Sequence, residues 1–389
     1  MSRGDNMPSV GIICEYNPFH NGHLYHINKV KEMFPNYPII LIMSGNFTQR
    51  GIPSIINKWD KTKLALQYGV DLVIELPFVF ASQSADIFAR GSIQLLKELK
   101  VTDIVFGSEN DNKQNFIDLA NIQLNNIEYD NKVKTYLEQG INYPTAMAKA
   151  LKDISDYTVD TPNDLLGLSY TKEIIKQKAN INIHPIKRTI GYHDTDELDG
   201  FASASLIRNK ISNKENISNL VPNEVKNTIN NNSLFFTDSY FSVLKYKILT
   251  DKNLEKYQTV DEGIENRIYK YILKSETLEE LINNIKTKRY TYNKIQRMLT
   301  HILCDFTKEE AKHINNEYIR ILGFSKAGKF YLNKIKKELK LPIIFNYKNN
   351  ISKILDIEYR STCAYASILN EKDKINLIEK ELNEKPFQL

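Results

Sequence analysis

Two histidines follow the first apolar run of the sequence, VGIIC, in the string EYNPFHNGHLYH. The imidazoles of His20 and His23 can donate hydrogen bonds to a phosphate chain on which negative charge builds as pyrophosphate leaves. Gly22, between them, lets the backbone approach phosphates without a Cβ in the way. Pro18 biases Asn17 away from helical conformation and so shapes the turn. The spacing predicts nucleotide phosphate chemistry, although two such histidines can also serve only as helix caps.

A second motif, FASASLIRNKI, begins at residue 201. Ser203 and Ser205 can cap a helix, and Arg208, one turn later, can reach the β- and γ-phosphates of a nucleotide. Taken alone, this string favours an ordinary serine-capped helix with a surface arginine. Beside the two histidines, it is the expected partner motif.

Polar side chains also follow the second apolar run, in the string SGNFTQRG. The carboxyl ends of parallel strands meet at one edge of a sheet, so we expect this string to lie on the same edge as the histidines. Asn46, Gln49 and Arg50 could there hold a small carboxylate or a cytidine base. An ordinary polar loop is an equally good interpretation.

A basic segment in the second half, KTKRYTYNKIQR, interleaves cations with tyrosines. Residues 286–348 contain 15 basic against 5 acidic side chains. Such a surface can track RNA phosphates while tyrosines stack on unpaired bases, and a solvated helix face is the competing interpretation. The residues predicted to contact RNA are Lys286, Lys288, Arg289, Tyr290, Lys294 and Arg297.

Composition limits the class of protein. The 389 residues are 42% hydrophobic and 25% charged, which excludes collagen-like, wholly disordered and disulfide-scaffold classes. Three widely spaced cysteines predict neither disulfides nor structural zinc. No apolar run approaches the roughly 18 residues that span a bilayer, and the first ten residues lack a signal-peptide pattern. We therefore expect a cytoplasmic protein with no membrane partner.

Charge is divided unevenly along the chain. Residues 1–200 hold 20 basic against 24 acidic side chains, and residues 201–389 hold 32 against 23, giving net charges of −4 and +9. This asymmetry fits a catalytic half joined to a half that meets a polyanion. Lysine-rich helices that are merely solvated fit it at least as well.

Hydrophobic periodicity predicts an α/β fold in the first half. Strands are expected at residues 10–14, 38–43, 71–76, 103–107 and 181–188. Helices are expected at residues 23–33, 58–68, 84–99 and 165–177. These elements predict a Rossmann-like, doubly wound parallel sheet. We divide the chain into a catalytic domain, residues 1–205, and a mainly α-helical basic domain, residues 206–389, whose best strand candidate is LPIIFN.

The two motifs together resemble the HIGH-type nucleotidyltransferase superfamily. Four blocks narrow the resemblance: GIICEYNPFHNGHLYHI, MSGNFTQRGIPSIINKWDKTKLAL, DLVIELPFVFASQSADIFARGSIQLL and FGSEN. In that order they are similar to the bacterial tRNA(Met) cytidine acetate ligase family. The similarity continues through TPNDLLGLSY and IKRTIGYHD into the second half.

The resemblance implies an enzyme that uses ATP to activate acetate as acetyl-adenylate. The acetyl group then passes to the exocyclic amine of the wobble cytidine of elongator tRNA(Met), giving N4-acetylcytidine. Mg²⁺ is expected as the counter-ion of ATP, held by phosphates and water rather than by protein side chains alone. His20 and His23 become the catalytic candidates. The expected ATP contacts are Ile13, Cys14, Glu15, Tyr16, Asn17, Pro18, Phe19, His20, Asn21, Gly22, His23, Leu24, Tyr25, His26, Gly107, Asn163, Arg188 and Arg208.

Other interpretations stay open at this stage. Without the family, Gly107 is equally well explained as a strand-end turn, and Asn163 is better explained as the cap of a helix beginning at Asp164. A small-molecule adenylyltransferase of cofactor biosynthesis would share both motifs. An RNA-binding protein with a catalytically silent first half, or an acetyltransferase using acetyl-coenzyme A, are further alternatives. Nothing in the sequence indicates the oligomeric state.

Overall fold

One mixed sheet organises the chain. The computed structural model describes residues 7–109, 111–155, 157, 159, 161–188, 200–312, 314–347 and 351–389. Its strands within these ranges are β1 (Val10–Cys14), β2 (Ile39–Ser44), β3 (Leu72–Leu76), β4 (Asp103–Ser108), β5 (Asn182–Lys187), β6 (Ile319–Phe324), β7 (Ile343–Ile344) and β8 (Phe387–Gln388).

Helices cover both faces of the sheet and continue beyond it. The first half contains α1 (Asn21–Met33), α2 (Lys58–Gln67), α3 (Phe78–Ala81), α4 (Ala85–Glu98), α5 (Lys113–Asn125), α6 (Ile127–Glu138), α7 (Tyr143–Lys152) and α8 (Pro162–Lys176). The second half contains α9 (Ala204–Ser212), α10 (Asn223–Asn231), α11 (Phe241–Thr250), α12 (Ile264–Ile272), α13 (Leu278–Ile285), α14 (Tyr292–Leu303), α15 (Lys308–Ala311), α16 (Lys326–Ile335), α17 (Lys353–Ala366) and α18 (Glu371–Asn383). Short 3₁₀ helices lie at Thr237–Tyr240 and Leu254–Lys256.

The strand order is β5-β4-β1-β2-β3-β6-β7, with β8 paired to β6. Strands β1 to β5 are mutually parallel, and β6 pairs antiparallel with β3. The chain builds outward from β1 through β2 to β3, then crosses to β4 on the other side of β1. A crevice therefore opens at the carboxyl ends of β1 and β4, which is where ligands bind in open α/β sheets.

The sheet is buried on both faces because its strands are apolar at consecutive positions. In β2, Ile40 and Ile42 belong to one hydrophobic cluster, while Ile39, Leu41 and Met43 belong to the opposite one. A third cluster is built by α11 to α14 and lies apart from the sheet clusters. No helix in the described ranges is long and apolar enough to cross a membrane.

All five strands predicted for the first half are confirmed, with ends shifted by no more than one residue. The four predicted helices are also confirmed, with ends shifted by at most three residues. The second half differs from expectation. The predicted strand LPIIFN is reduced to the two residues of β7, and β6, which was not predicted, is the longer strand. The sequence IRILGF forms β6 because it is buried against β3, a contact that local periodicity does not reveal.

A fully buried ionic cluster joins the two halves. Lys58 Nζ lies 2.6 Å from Glu75 Oε1, 2.7 Å from Glu381 Oε2 and 3.3 Å from Glu358 Oε1. Arg320 contacts both Glu75 and Glu381. Two cations face three carboxylates, and burial together with the Glu75 charge raises the pKa of Glu358 to about 8. The division at residue 205 stays a prediction, and this cluster crosses it.

Candidate functional site

A cavity of about 210 Å³ lies at the carboxyl ends of β1 and β4, at the predicted edge of the sheet. Aromatic and apolar side chains, including Phe106, Tyr170 and Phe201, form part of its wall. Ten of the predicted ATP contacts line it: Ile13, Cys14, His20, Gly22, His23, Tyr25, His26, Gly107, Asn163 and Arg188.

The start of α1 orients the two histidines. His20 is the N-cap residue, and its Nδ1 accepts a hydrogen bond of 3.1 Å from the Gly22 N–H. His23 Nδ1 accepts a hydrogen bond of 3.2 Å from the His20 N–H. Because both Nδ1 atoms act as acceptors, each neutral imidazole carries its proton on Nε2. The turn therefore supplies two Nε2–H donors next to the cavity.

The electrostatics of the site keep these imidazoles neutral. Burial, with smaller contributions from Arg188 and Arg208, lowers the pKa of His20 to about 3. Burial and the neighbouring His20 hold the pKa of His23 well below its usual range. Burial also lowers the pKa of His26 to about 4, and its Nε2 is buried without a hydrogen-bond partner among the described residues. Neutral donors can bind an anion without first losing an intramolecular ion pair.

The other residues predicted from the turn lie behind the cavity. Tyr16 and Phe19 are buried, and both rings pack against the His23 ring. Asn21 Nδ2 donates to the carbonyl oxygens of Gly200 and Asn219, both at 2.8 Å. These residues hold the turn in place rather than line the cavity.

Three further residues of the turn also lie outside the cavity lining. The side chain of Asn17 donates to the Pro53 carbonyl oxygen and accepts from the Ile55 N–H. Pro18 is buried, and Leu24 packs against a sheet cluster. These contacts support the turn from the side facing residues 44–57.

Glu109, which the sequence analysis missed, organises the opposite wall. Its carboxylate accepts hydrogen bonds from Thr161 Oγ1 at 2.8 Å and Asn163 Nδ2 at 3.2 Å. It also lies 3.7 Å from Arg188 Nε. A Cβ at Gly107 would meet the Arg188 side chain at 3.3 Å, so a larger residue there would press on this arginine. Glu109 directly follows β4, the position at which a polar side chain can be expected to face the crevice.

The capping interpretation of Asn163 is wrong. Helix α8 begins at Pro162, and Thr161 is its N-cap, accepting the Asp164 N–H through Oγ1. Asn163 therefore lies in the first turn of the helix. Asp164 instead accepts hydrogen bonds from Ser108 Oγ and the Glu109 N–H, which fixes the turn after β4.

The second motif also starts a helix. Ser203 caps α9 by accepting the Leu206 N–H at 3.2 Å. Arg208 Nη1 donates to the Asn17 carbonyl oxygen at 2.7 Å, and Nη2 donates to Ser205 Oγ at 3.1 Å. Arg208 is thus bound to the turn of residues 15–23, here called the histidine turn, and is not among the residues that line the cavity.

The loop of residues 44–57 lies beside the histidine turn. The Gln49 N–H donates to Glu15 Oε1 at 2.5 Å, and Gln49 Nε2 donates to the Gln83 carbonyl oxygen. Asn46 is 1% exposed, with its amide bound to Thr362 Oγ1 and the Lys58 N–H. This argues against the role predicted for Asn46 in holding acetate or cytidine, because the packing of α17 has enclosed it.

Lys61 is a second residue that the sequence analysis missed. Its fully buried Nζ lies 2.8 to 3.0 Å from four oxygens at the ends of β1 and β2. These are the carbonyl oxygens of Glu15, Ser44 and Gly45 and the hydroxyl of Ser54. Lys61 therefore joins the histidine turn to the neighbouring loop.

Some residues of the basic segment are buried in the fold, and others are exposed to solvent. Tyr290 is 3% exposed, its hydroxyl donates to the Asp261 carbonyl oxygen, and Lys294 Nζ lies 3.7 Å from its ring centroid. Its ring is packed in the third cluster, which argues against the predicted stacking on a base. Arg289 is half-exposed and pairs with Glu262 at 3.4 Å.

The remaining predicted RNA contacts lie on different surfaces. Lys288 and Arg289 line a shallow groove of about 340 Å³ that also includes Gly140. Lys286 is the C-cap of α13, and Arg297 lies on α14 against the loop of residues 44–57. The structure thus separates Arg297 from the groove and brings it to the side of the histidine turn.

Comparisons with known proteins agree with this architecture. The sequence model of the family described as HIGH Nucleotidyl Transferase matches residues 7–381. The chain is 41% identical to a tRNA(Met) cytidine acetate ligase of Geobacillus sp. (strain WCH70), covering 98% of this chain and 100% of the relative. It is also 41% identical to a protein of the same name in Clostridium novyi (strain NT), covering 93% and 96%.

Two solved structures are also similar to this chain over nearly its full length. The apo crystal form I of Thermotoga maritima TmcAL matches with a TM-score of 0.91 and 29% identity, over 98% of this chain and 100% of that one. The crystal form of the same protein bound with alpha-thio ATP matches with a TM-score of 0.88 over the same shares.

Proposed function

The chain belongs to the tRNA(Met) cytidine acetate ligase family of HIGH nucleotidyl transferases, and from this premise we propose how its residues carry out the two steps. It is an ATP-dependent ligase. Acetate is first activated as acetyl-adenylate, and the acetyl group is then transferred to the exocyclic amine of the wobble cytidine of elongator tRNA(Met). We also propose a cytoplasmic location, where this tRNA is used.

The observation that carries the proposal is the pair of neutral imidazoles beside the cavity. Both use Nδ1 to accept a backbone N–H, so both present an Nε2–H donor. A neutral donor pair at the N-terminus of a helix suits a phosphate chain that gains charge in the transition state. The match to a structure bound with alpha-thio ATP supports a nucleotide as the occupant of this cavity.

In the first step, a carboxylate oxygen of acetate attacks the α-phosphorus of ATP. The new bond is an acyl phosphate anhydride, and the bond to pyrophosphate breaks on the opposite side. No protein nucleophile is required, so catalysis consists of positioning and charge stabilisation. We assign His20 and His23 to the α-phosphoryl and leaving oxygens. Arg188, held by Glu109, is assigned to the phosphates.

In the second step, the cytidine N4 amine attacks the acetyl carbonyl carbon, and AMP leaves as N4 loses a proton. The base must approach the adenylate from outside the nucleotide cavity. We propose that the base approaches on the side of the histidine turn, where Gln49 and Arg50 of the neighbouring loop meet Glu15 and Arg208. The basic surface of the second half supports a tRNA as the second substrate.

Mg²⁺ would neutralise part of the phosphate charge when bound with ATP. No group of three His, Cys, Asp or Glu side chains with metal-binding geometry occurs among the described residues. We propose that the ion is held chiefly by phosphate oxygens and water.

The proposed function is tested by offering labelled acetate to purified full-length protein with bulk tRNA. With ATP, we expect label as N4-acetylcytidine in tRNA(Met), together with stoichiometric AMP and pyrophosphate. Omitting ATP should abolish labelling, and acetyl-coenzyme A should not replace acetate and ATP. Labelling from acetyl-coenzyme A without ATP would contradict the proposal. So would adenylylation of a small metabolite with no label in tRNA.

A further inference from the structure

Arg297 is a mostly buried cation without an anionic partner. It lies in the middle of α14, and within the described residues its guanidinium makes no hydrogen bond and no ion pair. Burial, together with the charge of a second cation, Arg50, lowers the pKa of Arg297 to about 10. A buried charge without a partner costs free energy. A side chain kept in such a place is suited to receive an anion.

Close backbone packing holds Arg50 beside this arginine. The residue after it, Gly51, adopts a φ of +77°, and a Cβ there would lie 2.6 Å from the Arg297 Cα. The Gly51 carbonyl oxygen accepts hydrogen bonds from Gln296 Nε2 at 3.3 Å and from Thr300 Oγ1. The contact between loop and helix thus brings two like charges together, although these charges repel.

The same pair borders the reaction site. Arg50 also acts electrostatically on Arg208, whose guanidinium is bound to the Asn17 carbonyl oxygen of the histidine turn. The residue before Arg50, Gln49, is hydrogen-bonded through its N–H to Glu15 in that turn. Arg50 is therefore the neighbour shared by the histidine turn and α14. None of Arg50, Arg208 and Arg297 lines the nucleotide cavity.

We propose that Arg50 and Arg297 form an anion subsite that binds a backbone phosphodiester of the tRNA beside the target cytidine. This inference rests on the proposed function. It specifies that a backbone phosphate of the tRNA binds on the side of the reaction site where the two arginines lie. A guanidinium is a planar fork of donors, and a phosphodiester offers two non-bridging oxygens that match such a fork.

Two observations favour a phosphodiester over the carboxylate of acetate. Acetate must reach the α-phosphorus inside the cavity, whereas these arginines lie outside its lining. Arg297 also packs against the loop of residues 44–57, which is hydrogen-bonded to the histidine turn. A strand of RNA whose base reaches the histidine turn from this side would bring a phosphate to the subsite.

The test compares Arg50→Gln, Arg297→Gln and the double variant with wild type in tRNA binding at several salt concentrations. Each single change should weaken binding about tenfold and lower the slope of log Kd against log salt by about one phosphate contact. Lys372→Gln, an exposed charge on α18, is the matched control and should change neither quantity. Unchanged affinity and slope in the double variant would overturn the proposal.

A second measurement separates the two sources of the anion. The acetate concentration that half-saturates acetyl-adenylate formation, followed as ATP–pyrophosphate exchange, should shift by no more than about twofold in Arg297→Gln. A large rise in that concentration with unchanged tRNA affinity would assign the arginines to acetate and overturn the proposal. If wild-type protein binds tRNA in an Arg297-dependent way but never acetylates it, the proposed function fails and the subsite stands.

A structural role for the arginines makes a different prediction. If Arg297 only stabilised the fold, Arg297→Gln would lower the melting temperature. Because Arg297 faces a like charge, we expect the melting temperature to stay the same or rise. Inorganic phosphate should raise the melting temperature of wild type but not that of the double variant, because only an occupied site shifts the folding equilibrium. An equal phosphate shift in both proteins would contradict the proposal.

Discussion

The rings of His20 and His23 stack on each other, with centroids 3.8 Å apart and planes inclined by 30°. Two protonated imidazoles at this distance would repel strongly, so the stack disfavours a doubly protonated pair, in agreement with the lowered pKa values of both rings. The helix start that produces the stack also fixes both tautomers. Local backbone geometry thus prepares two donors for one phosphate chain.

Removing one donor should slow the chemical step. We expect His23→Ala to lower the rate of acetate-dependent ATP–pyrophosphate exchange by about 100- to 1000-fold, as for loss of an oxyanion-hole donor. His184→Ala, which alters a partly exposed histidine at the edge of the sheet, is the control. Near-normal exchange in His23→Ala would remove this residue from the mechanism.

The pH profile tests the same pair independently. Because burial lowers the pKa of His20 to about 3, its neutral form persists well below the ordinary value of 6.5. Protonation of His20 should therefore contribute no acid limb near pH 6.5 to the rate of exchange. An acid limb centred near 6.5 that disappears in His20→Ala would contradict a neutral His20.

Glu109 should act through the side chains that it positions. In Glu109→Ala, Asn163 and Thr161 lose their acceptor and Arg188 loses a neighbouring charge. We expect the KM for ATP to rise about tenfold with a smaller change in kcat. Glu109→Gln keeps a hydrogen-bond acceptor and should retain part of the affinity. Equal effects of both variants would show that charge alone matters, and Glu32→Gln, at an exposed site on α1, serves as the control.

Lys61 should be required for stability. Lys61→Met removes an ammonium with three N–H donors from among four buried oxygens, which should lower the free energy of unfolding by about 3 kcal/mol or more. Lys63→Met, on the same helix but partly exposed, should cost less than about 1 kcal/mol. Urea unfolding of the two variants gives the comparison. Equal losses would show that the Lys61 contacts contribute little.

Glu358 gives stability a dependence on pH. The folded protein binds a proton on this group up to about pH 8, whereas the unfolded chain binds one only up to about 4.5. Folded protein therefore holds more protons in this window, and the contribution of Glu358 to stability falls as pH rises. The free energy of unfolding of Glu358→Gln should therefore increase relative to that of wild type as pH rises from about 4.5 to about 8. A difference independent of pH would contradict the raised pKa, and Glu379→Gln, exposed on α18, should show no such trend.

Local patterns were enough to locate the histidine turn and the sheet edge. The turn is contiguous in sequence, and strand β1 and helix α1 on either side of it have clear periodicity. Glu109 and Lys61 escaped prediction because their importance depends on partners brought together only by the fold. Lys61 looks like a surface residue of an amphipathic helix until β1 and β2 place three carbonyl groups around it.

Two predictions that the packing argues against have the same origin in long-range contacts. In the sequence, Asn46 follows a strand, where ligand-binding residues are expected. Its hydrogen-bond partner Thr362 lies 316 residues later. Tyr290 stands among cations in the sequence, yet its ring is needed by the third hydrophobic cluster. Sequence spacing predicts which residues lie at the same edge of a sheet. It does not predict which of these residues a later helix or strand buries.

The antiparallel pairing of β6 with β3 has a consequence for biosynthesis. Strand β3 ends at Leu76, and its partner begins at Ile319, so the ribosome must make more than 240 further residues before this edge of the sheet can close. Until then, the nascent chain carries an apolar strand with unpaired backbone groups, a template for association with other chains. Closure across so long a loop is also entropically slow. A chain truncated before Ile319 would keep the histidine turn but leave this edge open, and its main hazard would be aggregation.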